Sequence, residues 1–315
     1  MGMNEKKLKI AIAGSSGFIG THLVGHLESQ GRKVYRLVRY QPYRSTTEIH
    51  WNHVEGTINS ASIDGLDVVI NLAGLSLSSG KWTAKNKEIM RGSRVDGTRF
   101  LAESIAKLKN PPKLFIAASA IGYYGNRGDE ILKEDGRPGE GFLSDLCIDW
   151  EESAKPASDA GIRVINLRTS IVLDKNGGAL LKMLTTFKLG VGGKIGSGKQ
   201  YMSWITIFDH VRAIEHIIGN ESISGPVNLT SPNPVTNAEF TKTLGRVLRR
   251  PTMMPLPAFA IDLMFGEMGR TLLLGSQRVI PEVLSKSGFV FESPDLESGL
   301  NRVLSVGRGP VYSVT

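Results

Sequence analysis

Lys7-Leu8-Lys9-Ile10-Ala11-Ile12-Ala13-Gly14-Ser15-Ser16-Gly17-Phe18-Ile19-Gly20 decides how the rest of the chain is read. Leu8 to Ala13, broken only by Lys9, is an apolar run of the length and character of a buried parallel strand. It runs into three glycines spaced three apart, and then into a helical pattern with Phe18, Ile19, Leu23, Val24 and Leu27 on one face. In that strand–turn–helix setting Gly14 allows the tight turn, Gly17 lets a pyrophosphate approach the backbone, and Gly20 lets helix and strand pack closely. The free N–H groups at the helix start complete an anion site. Ser16, Phe18 and Ile19 lie between the glycines and share that site. The stretch implies a dinucleotide.

The other strands and helices alternate outward from it. Lys33 to Val38 reads as a second strand. A site for NAD places an acid about 20 residues after the glycines, to accept from the ribose 2′-hydroxyl. Here Arg39 stands 19 residues after Gly20, and a guanidinium fork suits a 2′-phosphate. NADP(H) is the cofactor expected. Asp67 to Gly74 is the next buried strand and turn, with Leu72, Ala73 and Gly74 giving the cofactor a wall without bulk. A long helix is expected over 85–109, ended by Pro111-Pro112, and then a strand over 113–118. Ser119 to Gly125 forms a polar turn at that strand's carboxyl end, the edge where α/β sheets bind ligands. A helix over 143–159 and a strand over 162–167 follow. Alternation to about residue 172 argues a doubly wound parallel sheet, a Rossmann-type α/β fold.

Beyond that the rhythm changes. Glycines 190, 192, 193, 196 and 198, with Lys194 and Lys199, form a loop facing cofactor or substrate. Residues 202–205 and 226–230 read as strands, the second rejoining the main sheet. Residues 258–264, 272–274 and 279–280 read as helices packing as a lid, with Met254, Met264 and Met268 filling a core. The expected division is a cofactor domain over 1–173, a mixed substrate-side segment over 174–253, and a smaller C-terminal helical region over 254–303.

Composition sets outer bounds. The chain has 315 residues, 41% of them hydrophobic, and a net charge of +8, with a mean hydropathy of −0.08. Cys147 is the single cysteine, which excludes a disulfide framework and fits a reducing compartment. No stretch approaches the ~20 apolar residues of a membrane span, and the start is too polar for a signal sequence. The cytoplasm is the expected location. The basic residues between 81 and 113 have only Trp82 and Phe100 for aromatic company, so they read as a solvated helix face that attracts a polyanionic cofactor, with no nucleic-acid partner. His50 and His53 lack nearby ligand partners and read as surface histidines, and no metal site is expected.

Taken together, Gly14-x-x-Gly17-Phe18-Ile19-Gly20, Asn71-Leu72-Ala73-Gly74 and Ser119 through Gly125 resemble the extended short-chain dehydrogenase/reductase superfamily. Tyr123-Tyr124, Trp150-Glu151, Gly196-Ser197-Gly198 and Ser203-Trp204-Ile205 are similar to an atypical subgroup. That subgroup is the nucleoside-diphosphate-sugar epimerase-like family whose C-terminal part carries a domain of unknown function. The resemblance implies NADP(H) binding by Gly14, Gly17, Gly20, Arg39, Leu72 and Ala73, and by position also Arg94 and Val172.

The superfamily's catalytic signature is Tyr-x-x-x-Lys, in which the lysine lowers the tyrosine pKa for proton transfer. Placed by Trp150-Glu151, those positions fall on Leu143 and Cys147, and no such motif occurs between 119 and 160. Three readings follow. One is an NADP(H)-dependent epimerase or reductase on an unidentified small polar substrate, with Ser119, Tyr123 and Tyr124 as candidate catalytic groups and Arg168 as an anion clamp. A second is a non-catalytic NADP(H)-binding protein that reports redox state. An ordinary NAD-dependent sugar epimerase is disfavoured at both Arg39 and Leu143. The expected cleft has Tyr123 or Tyr124 on one wall and Lys194 or Trp204, as substrate-facing candidates, on the other.

Overall fold

A computed structural model describes residues 8–78 and 80–305; the charged start, Met1 to Lys7, lies outside the described residues. β1 (Lys9–Ala13) leads through the glycine turn into α1 (Phe18–Ser29), β2 (Lys33–Val38), β3 (Glu48–Asn52) and the short β4 (Thr57–Ile58). A single turn, α2 (Ser60–Ile63), precedes β5 (Val68–Asn71), the long α3 (Ala84–Ala106) and β6 (Leu114–Ala120). β6 ends in a tight turn, Ile121–Tyr124, before β7 (Ile131–Leu132), α4 (Phe142–Glu152), α5 (Lys155–Asp159) and β8 (Arg163–Thr169).

These elements build an eight-stranded sheet in the order β12-β8-β6-β5-β1-β2-β3-β4, whose eighth member, β12, is Gly225–Leu229. Every pairing is parallel except β3 with β4. From β1 the chain adds strands to one side, then returns to add β5, β6, β8 and β12 on the other. That reversal makes the crevice outside the carboxyl ends of β1 and β5 the place for a ligand. Both faces are covered, as parallel sheets require. Leu23, Val24 and Leu27 of α1 fill one side with Ile10, Ile12 and Ile70. Leu101, Ala102 and Ile105 of α3 fill the other with Ala11, Ala13, Val69 and Phe115.

The remaining elements are β9 (Ile171–Leu173), α6 (Gly178–Lys188), β10 (Tyr201–Met202), β11 (Trp204–Thr206), α7 (Ile207–Gly219), β13 (Val235–Thr236) and α8 (Asn237–Leu248). The C-terminal part holds α9 (Ala258–Gly269), β14 (Arg278–Val279), α10 (Glu282–Lys286) and α11 (Leu296–Ser305). A separate core joins α6, α8 and α11 around Trp204, with Leu180, Leu184, Phe240 and Leu300.

Several sequence expectations shift. The helix expected over 143–159 is two, because Pro156 cannot continue the first and opens α5 instead. The strand expected over 202–205 breaks at Ser203, whose hydroxyl donates to Gln277 O (2.8 Å) and accepts from Val279 N (2.9 Å). Val279 is strand, not helix, because its backbone pairs in parallel with Leu132. Met254 and Met264 are exposed rather than core, and only Met268 of the three packs against a buried cluster.

Candidate functional site

The β1–α1 turn is a cradle made of backbone. Gly14 has φ +76°, and a Cβ there would lie 2.7 Å from Leu72 C and 2.8 Å from Ala73 N. Gly17 N–H closes the turn on Gly14 O (3.0 Å). A Cβ on Gly20 would drive into that same Gly14 carbonyl, so the helix seats on the turn only because the side chain is missing. No side chain caps the start of α1. Its first N–H groups remain available to an anion. Ser16 and Gly17 are exposed, while Phe18 and Ile19 are half-buried. Phe18 is pinned from above by Gly177 and Gly178, whose missing side chains leave room for its ring. Only the packing shows that pair, which has no motif of its own.

Across the crevice the wall is held by side chains. Asn71 accepts from Ala73 N (3.1 Å) and donates to Thr98 (3.0 Å), which also takes the Trp150 indole N–H (3.0 Å). Arg94 lies beneath Gly74, donating to Leu75 O (2.6 Å) and Met90 O (3.1 Å), with its guanidinium 5.1 Å from the Trp150 ring. Burial pulls its pKa down to about 10, and its Nε is buried without a partner. Val172 is buried, its carbonyl close under Gly178, and Arg39 is exposed past the end of β2. A glycine cradle that tolerates no Cβ, an uncapped helix start and an orphaned Arg94 N–H fit a pyrophosphate-bearing dinucleotide.

The end of β6 is built differently. Ser119 Oγ donates to Glu151 (2.7 Å), and Glu151 receives the Arg168 fork at 2.8 and 2.9 Å. Arg168 also donates to Tyr124 Oη (3.0 Å) and Glu134 O (3.0 Å), and lies 3.5 Å from the Tyr123 ring centre. Tyr124 Oη in turn donates to Asn228 Oδ1 (2.8 Å). Burial disfavours the Arg168 charge, but the hydrogen bonds and charge of Glu151 outweigh it and hold the guanidinium above its ordinary pKa. Tyr124 is wholly buried, and burial pushes its hydroxyl up to about 12. Arg168 is therefore no free anion clamp, since its donors are spent inside the protein. Tyr124 likewise presents no surface to a substrate, and the Ser119 proton is committed to Glu151. Tyr123 is half-buried, its ring edge-on to that of Tyr124.

The α4 helix does present Leu143 and Cys147 to the β6 turn. A Cβ on Gly122 would sit 3.4 Å from the Leu143 side chain and 3.6 Å from Cys147 Sγ. Burial drives the Cys147 thiol up to about 12, leaving it inert. Over this spot opens a cleft of about 190 Å³, with Gly122 and Leu143 on one side and Glu140, Glu267, Arg270 and Gln277 among its polar lining. Lys87 holds Glu267 at 2.6 and 2.7 Å and lies 4.9 Å from the Phe142 ring, tying α3 to α9 at the rim. The sequence reading missed Glu267, Arg270 and Gln277 because the C-terminal region meets the β6 turn only through tertiary packing.

The opposite wall is not the expected one. Trp204 has no exposed surface, and its indole N–H donates to Asn233 O (3.2 Å) inside the α6–α8–α11 core. It is a packing residue, because β11 feeds its side chain away from the crevice. Lys194 is exposed, on a glycine loop that seats on the segment before α9: Leu256 N donates to Lys194 O (2.9 Å) and Gly196 N to Leu256 O (2.8 Å). Among the described residues no group of His, Cys, Asp and Glu could hold a metal, and no helix is long and apolar enough to cross a membrane.

The pattern of the NAD dependent epimerase/dehydratase family matches residues 10–229, and that of a domain of unknown function (DUF1731) matches residues 256–303. An epimerase family protein of Mycobacterium leprae is 43% identical over 301 residues, 96% of this chain and 97% of its own length. The human epimerase family protein SDR39U1 is 32% identical, covering 95% of this chain and all of its own. A crystal structure of that human protein (isoform 2) with NADPH superposes with a TM-score of 0.87 at 31% identity, over 95% of this chain and 100% of that one. A nucleoside-diphosphate sugar epimerase of Corynebacterium glutamicum superposes with a TM-score of 0.78 at 36% identity, over 95% of this chain and 58% of that one.

Proposed function

The chain belongs to the NAD dependent epimerase/dehydratase family, and from that premise we propose that it binds NADP(H) and transfers hydride between it and a small polar substrate without a Tyr-x-x-x-Lys base. Gly14, Gly17, Gly20, Leu72, Ala73 and Arg94 hold the dinucleotide, and Arg39 takes the 2′-phosphate. The human relative crystallised with NADPH supports the cofactor. The observation that carries the chemical half is the cleft over Gly122 and Leu143, which the C-terminal region covers with Glu267, Arg270 and Gln277. Polar groups converging on a cleft beside the carboxyl end of β6 suit a small polar ligand. The nicotinamide supplies the hydride when bound. The protein's part is to exclude water and orient the substrate, with Glu140, which unlike Glu267 is not held by a lysine, as the carboxyl able to exchange a proton at the cleft.

A specific observation favours a second reading, a non-catalytic NADP(H)-binding protein: Ser119 and Tyr124 are both engaged in internal hydrogen bonds. Incubation with NADPH deuterated at nicotinamide C4 and a panel of small carbonyl compounds separates the two. Deuterium appearing in a product establishes the enzyme. Stoichiometric NADPH binding with no transfer to any compound in the panel favours the non-catalytic reading. UDP-glucose should not epimerise at rates usual for enzymes, about 1–1,000 per second.

A further inference from the structure

β2 and β3 run parallel side by side, with Val38 opposite His50. Arg39 and His53 follow the ends of these two strands and leave the same edge of the sheet, near enough for the Arg39 charge to bear on the His53 ring. Neither histidine is on the surface as the sequence suggests. His50 is buried and bonded to Tyr40 O (3.1 Å) and Thr57 Oγ1 (3.0 Å). His53 is half-buried and has no such partners. Its ring packs 5.6 Å from the Trp51 ring, tilted 31°, and against α3, where a Cβ on Gly97 would lie 3.6 Å from its Cγ. Nδ1 is buried without a partner. The charges that bear on it are Asp96 of α3 and Arg39.

The chemistry follows from that placement. Burial first, and then Arg39, hold the ring's pKa below its ordinary value, against the opposing pull of Asp96. A charged ring would also bury an N–H on Nδ1 with no acceptor. The ring is thus neutral, and its useful donor is Nε2–H on the edge away from Gly97.

We propose that His53 is a specificity-determining residue for the adenosine end of the cofactor, donating from Nε2 to the 2′-phosphate that Arg39 pairs with. This rests on the NADP(H) reading. Arg39 supplies charge, which any anion would feel. His53 adds an uncharged, directional bond that a phosphate dianion accepts more strongly than a ribose hydroxyl does.

Titration calorimetry with NADPH and with NADH tests this on three proteins: wild type, His53→Phe and His53→Gln. Phenylalanine keeps a ring against Trp51 and Gly97 without the donor, and glutamine keeps a donor without the ring. His53→Phe should weaken NADPH by about 5–20-fold while leaving NADH nearly unchanged, and His53→Gln should recover most of that loss. Equal losses for both cofactors overturn the proposal, since the ring would then serve the adenine they share. Wild type that binds NADPH while His53→Phe and His53→Gln both bind it equally well overturns the proposal alone. Wild type that binds neither cofactor overturns the cofactor reading and this proposal with it.

Discussion

The turn at Gly14–Gly20 and the turn at Ser119–Gly125 both leave the carboxyl ends of parallel strands in one sheet, yet they are built in opposite ways. The first is main chain: three missing side chains, an uncapped helix start and one bond from Gly17 N to Gly14 O. The second is side chain: Ser119, Glu151, Arg168, Tyr124 and Asn228 bond one another in series. An open backbone cradle waits for a ligand that supplies the missing acceptors. A sealed network has already satisfied itself, and a buried network with every member paired is stiff. On the proposed reading the first turn binds the cofactor and the second gives support, and the groups that meet a substrate are those of the cleft above Leu143.

The largest expected effect breaks the sealed end. Arg168→Ala removes the partner of a Glu151 carboxylate that is nearly buried. Leaving such a charge uncompensated costs about 3–5 kcal/mol of stability. Urea unfolding measures that loss, and NADPH titration of the folded variant should show unchanged affinity. A variant of full stability that binds NADPH poorly would reverse the contrast, making Arg168 a cofactor residue.

The same difference governs what the sequence reveals. Ile10, Ala11, Ile12 and Ala13 are all buried in β1 because an unbroken apolar run suits a strand covered on both faces. Gly14, Gly17 and Gly20 act within seven residues of one another, so spacing alone describes their geometry. The sheet and its crevice are legible for that reason. The sealed end is not, because its bonds join residues far apart in sequence: Tyr124 to Asn228, Ser119 to Glu151, Asn228 to Ile280. A tyrosine pair after a strand looks like chemistry whether it faces a ligand or the core. Trp204 shows the same ambiguity, since an aromatic in a short strand carries no mark of the core that α6, α8 and α11 close around it.

Gly20→Ala probes the open cradle. Its new Cβ meets the Gly14 carbonyl, a backbone atom that cannot swing aside. Overpacking of this kind costs about 1–3 kcal/mol of stability. Because the displaced atoms are the cradle itself, NADPH affinity should fall by more than about tenfold, equivalent to 1.4 kcal/mol. Thermal unfolding read with and without NADPH separates the two losses. A variant that is destabilised yet keeps its NADPH affinity would show that the cofactor does not depend on this turn.

The smallest effect lies where the sealed network touches the C-terminal region. Glu134 Oε1 accepts from Asn228 N (3.2 Å) and Val283 N (3.1 Å), while Oε2 is buried without a partner. Burial raises its pKa above the ordinary carboxyl value, against the pull of those backbone N–H groups. A group whose pKa is higher folded than unfolded contributes stability that is fully present below the unfolded pKa. That contribution is lost as pH rises through the folded value. The ionised Glu134 therefore costs stability at neutral pH and costs nothing once protonated. Glu134→Gln keeps the Oε1 acceptor and removes the charge, so it should stabilise the protein at pH 7.5 by on the order of 1 kcal/mol. The advantage should shrink to nothing near pH 4, where the native carboxyl is itself neutral. Urea unfolding at the two pH values reads the difference directly. A variant less stable than wild type at pH 7.5 would mean that the Glu134 charge is serving the Asn228–Val283 junction, and the network would no longer count as sealed at that end.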